Sequence, residues 1–498
     1  MKKIKYHVLF TALCLLLTAV PSSVVTATES TEEIPHVTLR VCNWEEYIDL
    51  GDWDEDEVID LESGDIFGEN SVVDDFEEWY LDTYGIDVDV EYSTFGTNED
   101  LYNMLTLGDV YDLVCPSEYM IMKLMAEDQL VPLSDDFFDT SVEENYYIKG
   151  VSPFMQDTFS SNEINGEPWS KYMAGYMWGI TGFVYNPDEV TEEEASTYHL
   201  LDNTKFARRI TIKDNVRDTY FSTIGALKSD LLTSEEFLSD PDYHENLKAA
   251  MNDVSEETIQ EALDYLQGIK DNLYSFETDS GKADMITGKV VANYQWSGDA
   301  VYTLDQAEED DYYLNFAVPV ESTNLYMDGW VMLKRGIEED SMKQHAAEAF
   351  INFNSRPDIA IRNMYYIGYT SCIAGGDDGR IFEYADWCYG AEEDEEDVVD
   401  YSLAYFFSDD EDSEDYIITA PEEQLHRQLY AQYPDADAIS RTSIMVYFDA
   451  ETSEVINQMW VNVRCFNIHR IPVWTWFLAL VMLVIVLVIW FRSRKLSY

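Results

Sequence analysis

Between His36 and Ser117 the apolar residues keep switching period, and that alternation limits the fold more than any other feature of the chain. Leu39 and Val41 alternate through a strand over 37–43. Val72, Val73, Phe76, Trp79 and Tyr80 then recur at helical spacing, with Gly85 as a stop. Ile86, Val88, Val90 and Tyr92 alternate again. Asn98 is placed to cap a helix that carries Leu101, Met104 and Leu105 and stops at Gly108, and Tyr111 to Cys115 is a short apolar run suited to a buried strand. This β-α-β-α-β order implies a parallel sheet with right-handed crossovers, and such sheets bind ligands beyond the carboxyl ends of their strands. Trp44, Glu45 and Tyr47 follow the first strand, Ser93 and Thr94 the second, and Ser117 and Tyr119 the third. They are expected on one edge.

A second α/β block runs over 181–326, with strands near 209–212, 290–295 and 314–319 and a helical pattern from Glu256 to Lys270. Polar or aromatic residues again follow the strands: 213–218, then Trp296-Ser297-Gly298, then Tyr326-Met327-Asp328. Two such blocks facing each other make a cleft. Residues 50–71, acidic and glycine-bearing, read as an excursion from the sheet without chemistry of their own.

Both ends of the chain read as addresses. Lys2, Lys3 and Lys5 precede an apolar stretch from Val8 to Val20, and Val25-Thr26-Ala27 offers a cleavage site, so 1–27 is a signal peptide in this reading. Val473 to Phe491 carries no charge, which predicts a transmembrane helix over 472–491 flanked by Trp474, Trp476 and Trp490. Arg492, Arg494 and Lys495 then make 492–498 a cytoplasmic tail. The expected location is a single-pass membrane protein with its large domain outside the cytoplasm.

With 98 acidic against 30 basic residues, the formal charge of -68 excludes nucleic acid as a partner and favours cations. Cys42 and Cys115 each end a strand and either pair or stay as buried thiols; Cys372 and Cys388 could close a loop, and Cys465 could be free. No spacing of Cys and His suits zinc, and neither a metal nor a cofactor is expected. No Ser-His-Asp, Cys-His or paired-acid grouping stands out, so a surface hydrolase has little to rest on.

The strand-end residues combine rings, carboxylates and hydroxyls, and no Arg or Lys appears among them to receive an anion. Such a set suits a flexible organic cation: carboxylates pair its ammonium groups, while Trp and Tyr rings cover its methylenes. The strings NWEEY (43–47), EYSTFGTNEDLY (91–102), YDLVCPSEY (111–119), MWGITGFVYN (177–186), KDNVRD (213–218), YQWSG (294–298), YMDGW (326–330) and IGYTS (367–371) run in the same order as in a known family. Over 37–445 the chain resembles the spermidine/putrescine-binding proteins of bacterial polyamine ABC importers.

The resemblance implies an α/β fold of the two-lobed periplasmic-binding-protein kind, type II, with parallel-rich sheets flanked by helices. It implies lobe 1 from 36–180 and 327–377, and lobe 2 from 181–326 and 378–463. It also implies a polyamine ligand and, as partner, an ABC permease with its ATPase subunits. Trp44, Tyr47, Ser117 and Tyr119 fall on ligand-lining positions of the family, Asp218 on an acidic contact, Trp296 on an aromatic wall, and Asp328 on the carboxylate that receives an amine. Tyr369 matches a family motif position. Glu45, Asn215 and Tyr326 occupy site positions where the family prototype carries a hydroxyl residue, an aspartate and a tryptophan, and Met445 lies near a family glutamine. Those departures leave room for another cationic or small organic solute.

Overall fold

The computed structural model describes residues 34–54, 57–392, 395–465 and 480–486. The strands that position the site are β1 (His36–Trp44), β2 (Asp87–Phe95), β3 (Leu113–Val114), β4 (Met173–Tyr185), β5 (Ile210–Lys213), β6 (Ser275–Glu277), β7 (Ala292–Trp296) and β8 (Thr323–Leu333). They lie side by side in the order β2-β1-β3-β8-β4-β7-β5-β6. The β2-β1-β3 half is parallel, as the alternation of periods requires, with Val41 opposite Tyr92 on one side and Leu113 on the other. The β7-β5-β6 half is parallel too.

Local signals explain the first half. Ser71 accepts the Asp74 N–H to start the helix Val72–Tyr84, and Gly85, at φ 66°, ends it in the left-handed region that glycine enters without a steric penalty. The next helix, Asn98–Leu107, is capped by Thr97 and not by Asn98. Asn98 is buried, and its side chain bonds to Ser117 and Tyr119 instead.

β4 and β8 join the halves. Met173 to Ile180 runs antiparallel to Leu325 to Val331, and Thr181 to Tyr185 continues beside Ala292 to Trp296 in the other half. Every residue of both strands is buried, because helices and loops cover both faces. Thr323 Oγ1 donates to Thr181 O at 2.6 Å and accepts the Thr181 N–H at 3.1 Å where the strands pass between halves. The β4-β8 register shifts between Asp328 and Gly329, a bulge of the kind that re-aims a side chain.

The apolar core falls into two clusters. The larger gathers the first half together with Ala300, Leu304 and Phe316 of the second and extends through Ile381, Tyr384, Tyr401, Phe406, Leu429 and Ala438; the smaller gathers Ile210, Ile224 and Leu266 with Met445, Phe448, Ile456 and Val463. The segment expected as one piece of lobe 2, 378–463, is therefore divided. Its part up to Phe407 packs with the first half, because its aromatic residues stack there (Phe406 on Trp178, centroids 5.3 Å apart). The helix Gln428–Gln432 packs instead on the helix Ser297–Glu309 of the second half, where Gln428 donates to Asp305 at 2.8 Å and Arg427 pairs with Glu308, and Met445, Phe448 and the last helix, Ala450–Arg464, pack with that half as well.

Two further expectations change and one open alternative is decided. Residues 50–71 belong to the packed fold: Trp53, Ile59, Leu61 and Ile66 are buried, and the buried Asp49 at their base pairs with Arg362 at 2.6 Å. The described cysteines are all free, so the pairings left open do not form. No helix among the described residues is long and apolar enough to cross a membrane. Within 472–491 only 480–486 are described, and they are helical. The expected transmembrane helix, membrane partner and single-pass location with a cytoplasmic C-terminus are thus not supported. The remainder of that segment, the tail 492–498 and the signal peptide 1–27 lie outside the described residues.

Candidate functional site

A cavity of about 770 Å³ opens where the carboxyl ends of the strands of both halves meet. Trp44, Glu45, Tyr47, Ser117, Tyr119, Asn215, Asp218, Trp296, Tyr326, Asp328 and Tyr369 all line it, although they are spread over more than 300 positions of sequence. Met445 lines it as well.

From the first half, Asn43 braces the turn after β1: its amide donates to Tyr47 O at 3.2 Å and its carbonyl accepts the Trp44 N–H at 2.9 Å. Glu46 takes φ 54° in that turn. Tyr47 is thereby turned back over the sheet, where its hydroxyl donates to Asp328 Oδ2 at 2.8 Å. Ser117 Oγ donates to Asp328 Oδ1 at 2.7 Å, so one hydroxyl holds each oxygen of this buried carboxyl. Burial raises the Asp328 carboxyl to about 6; the two hydroxyl donors oppose that rise, and the Asp218 charge adds to it.

From the second half, Asn215 caps the helix Val216–Leu227 by accepting the Asp218 N–H at 2.8 Å, and its amide donates to the Asp218 carboxylate. Burial pushes the Asp218 carboxyl up as well. Trp296 ends β7 with Nε1 at 3.4 Å from Asp218 Oδ1. The ammonium of Lys213, buried beside Asp299 at 3.3 Å, lies 4.0 Å from the Trp296 ring centroid. Tyr369 closes the set between Tyr47 and Tyr326, with ring centroids 5.0 and 6.1 Å away. It reaches that place because residue 298 is glycine: a Cβ there would overlap its ring.

The wall also carries residues that the strand-end pattern did not single out. Glu46, Glu99, Glu118, Asp279 and Asp299 add carboxyls to Glu45, Asp218 and Asp328; Phe95, Tyr302 and Tyr366 add rings. Glu118 lies between Ser117 and Tyr119 in PSEY, and Asp299 directly follows Trp296-Ser297-Gly298, so the strand-end pattern stopped beside both without naming either. Asp279 and Lys282 follow β6, whose three residues leave no readable alternation. Lys282 is a cation on the wall, where no Arg or Lys was expected, but its ammonium stands 2.7 Å from Asp279 and 3.6 Å from Asp299, already matched by carboxylates.

Chemically the cavity offers an excess of carboxyls between aromatic walls, which suits an elongated organic cation. Among the described residues no group of His, Cys, Asp and Glu is arranged to hold a metal ion.

Parallel half-sheets bridged by two long crossing strands, with the cavity at the bridge, make the fold that of a two-lobed solute-binding protein. Residues 71–381 match the bacterial extracellular solute-binding protein family, and the chain belongs to that family. The spermidine/putrescine-binding periplasmic protein 1 of Haemophilus influenzae is 22% identical over 287 residues, 57% of this chain and 68% of that protein. Two solved structures share the fold. The spermidine/putrescine ABC transporter substrate-binding protein PotD of Streptococcus pneumoniae superposes with TM-score 0.53 at 22% identity, covering 86% of this chain and 99% of that one. A putative spermidine/putrescine ABC transporter protein of Listeria monocytogenes gives 0.56 at 20% identity, covering 86% and 98%.

Proposed function

We propose that this protein is an extracytoplasmic receptor that captures a polyamine, putrescine or spermidine, in the cavity and delivers it to an ABC importer of permease and ATPase subunits. It binds its ligand without transforming it. The observation that carries this reading is the convergence of Asp328, Asp218 and Glu45 with Trp44, Trp296 and Tyr369 on one cavity between the halves. Asp328 receives one ammonium group, Asp218 and its neighbours face the other, and the rings cover the methylenes between them. The names of the relatives support the same ligand class.

The division into lobes that fits the packing takes 36–180 with 327–426 as one body and 181–326 with 427–464 as the other. β4 and β8 are then the segments about which the bodies turn. Closure around the ligand excludes water and strengthens each ion pair in the lower dielectric.

Thermal melts with putrescine, spermidine, a quaternary amine and a dipeptide test the reading. A true ligand raises the midpoint progressively with its concentration. A rise with putrescine or spermidine is expected; a rise only with the other solutes would assign the cavity to a different ligand on the same fold.

A further inference from the structure

Glu118 is the buried acid on the cavity wall that no role yet explains. It opens the helix Glu118–Ala126, directly after Ser117, and is 1% exposed. One of its oxygens, Oε2, accepts the Met327 N–H at 3.2 Å. The other, Oε1, is buried with no hydrogen-bond partner among the described residues. An orphaned carboxyl oxygen in a closed site is costly unless something supplies a donor. The neighbouring geometry says where that donor comes from. Ser117 is bonded to Asp328 and Glu118 to Met327, so adjacent residues on the helix start hold adjacent residues of β8. The Glu118 and Asp328 carboxyls therefore flank one corner of the cavity.

We propose that Glu118 Oε1 accepts an N–H of the bound ligand, so that one alkylammonium group is held between Glu118 and Asp328, and that Glu118 gives up its own proton when the ligand enters. This rests on the polyamine reading and deepens it. The proton balance is simple: a neutral Glu118 acid and a protonated amine become a carboxylate–ammonium pair, and one proton passes to the buffer.

The surroundings favour a neutral acid in the empty cavity. Asp328 on β8 is the nearby anion, and Arg217, from the helix Val216–Leu227, is the opposing cation. Glu99 and Asp218 stand on the same wall, and both interact with Arg217, dividing its charge. Arg217 is further occupied by Val446 O at 2.5 Å and by the Phe448 ring, 3.9 Å from its centroid. Burial, chiefly, lifts the Glu118 carboxyl to about 8. A glutamine at 118 keeps an acceptor for Met327 N–H and removes only the ionisation.

Putrescine is titrated calorimetrically into the whole protein in phosphate and in Tris, which differ in ionisation heat, at pH 7.0 and 8.5. Its amines titrate near the lysine range and stay charged throughout. Close to one proton released per putrescine at pH 7.0 is expected, with much less at pH 8.5. Affinity should rise almost tenfold per unit between pH 6 and 7.5 and level off above about pH 8. In Glu118→Gln the release should drop to about a tenth of a proton, the share left to Asp328, and affinity should fall at least tenfold and lose that slope. Binding by the wild type without proton release, or release unchanged in the variant, overturns the role of Glu118 and leaves the polyamine reading intact. No binding of putrescine or spermidine at either pH overturns the polyamine reading itself. Should Glu118→Gln fail to fold, the wild-type release and its pH slope decide the matter alone.

Discussion

Asp328 shows how a single residue is tuned for a cation. Its two hydroxyl donors, Tyr47 and Ser117, fix the carboxyl in place yet do not offset its burial, so it stays above the ordinary aspartate range. Because the folded value, about 6, exceeds the unfolded one, about 3.9, the group stabilises the empty protein at low pH, and that contribution is lost as pH climbs through about 6. Asp328→Asn should therefore raise the melting midpoint of the empty protein at pH 8 by about 1–3 °C while weakening amine binding. Calorimetric or fluorescence melts check the first half; an unchanged or lowered midpoint would contradict it. Trp296→Ala should cost about 0.5–2 kcal/mol of putrescine affinity, the worth of one cation–π and methylene contact, and less than loss of a buried charge partner. Trp44 was legible because it ends a readable strand, and Asp328, inside a strand with no alternation of its own, only because YMDGW matches a family motif. Glu118 and Asp299 were legible only in principle, since an acid in a chain with this many acids carries no signal until its burial is known.

At the scale of elements, the parallel β1-β2-β3 unit followed from period alone, down to the stop at Gly85. Asn98 marks where local reasoning fails: Thr97 and Asn98 are both good caps, and tertiary bonds to Ser117 and Tyr119 decide between them. The crossing strands β4 and β8 were hidden for a different reason. Buried on both faces, they lack alternation, and their roles depend on partners far apart in sequence. The aromatic segment from Tyr384 to Phe407 likewise has no period that says which half it joins. The helix Ser297–Glu309 meets the cavity at Asp299 and Tyr302, and the missing Cβ of Gly298 makes room for Tyr369. Gly298→Ala should push that ring out of its place between Tyr47 and Tyr326, weakening putrescine binding tenfold or more while the fold, read by circular dichroism, persists. Binding equal to wild type would show that Tyr369 is dispensable.

For the molecule as a whole, charge and architecture act together. A formal charge of -68 attracts polycations from a distance, so the association rate for putrescine or spermidine should fall steeply between low and 0.15 M salt, as stopped-flow fluorescence of the cavity tryptophans would read. The cavity then supplies selectivity, with ionised acids from both halves meeting rings across the bridge of β4 and β8. That claim is tested most directly by titrating putrescine and spermidine calorimetrically into the wild-type protein and into Asp328→Ala and Asp218→Ala. Saturable binding by the wild type is predicted, with each variant weakened by about 2–5 kcal/mol because an ammonium group is left buried without its partner. Affinity unchanged in both variants, or no binding by the wild type, would contradict it.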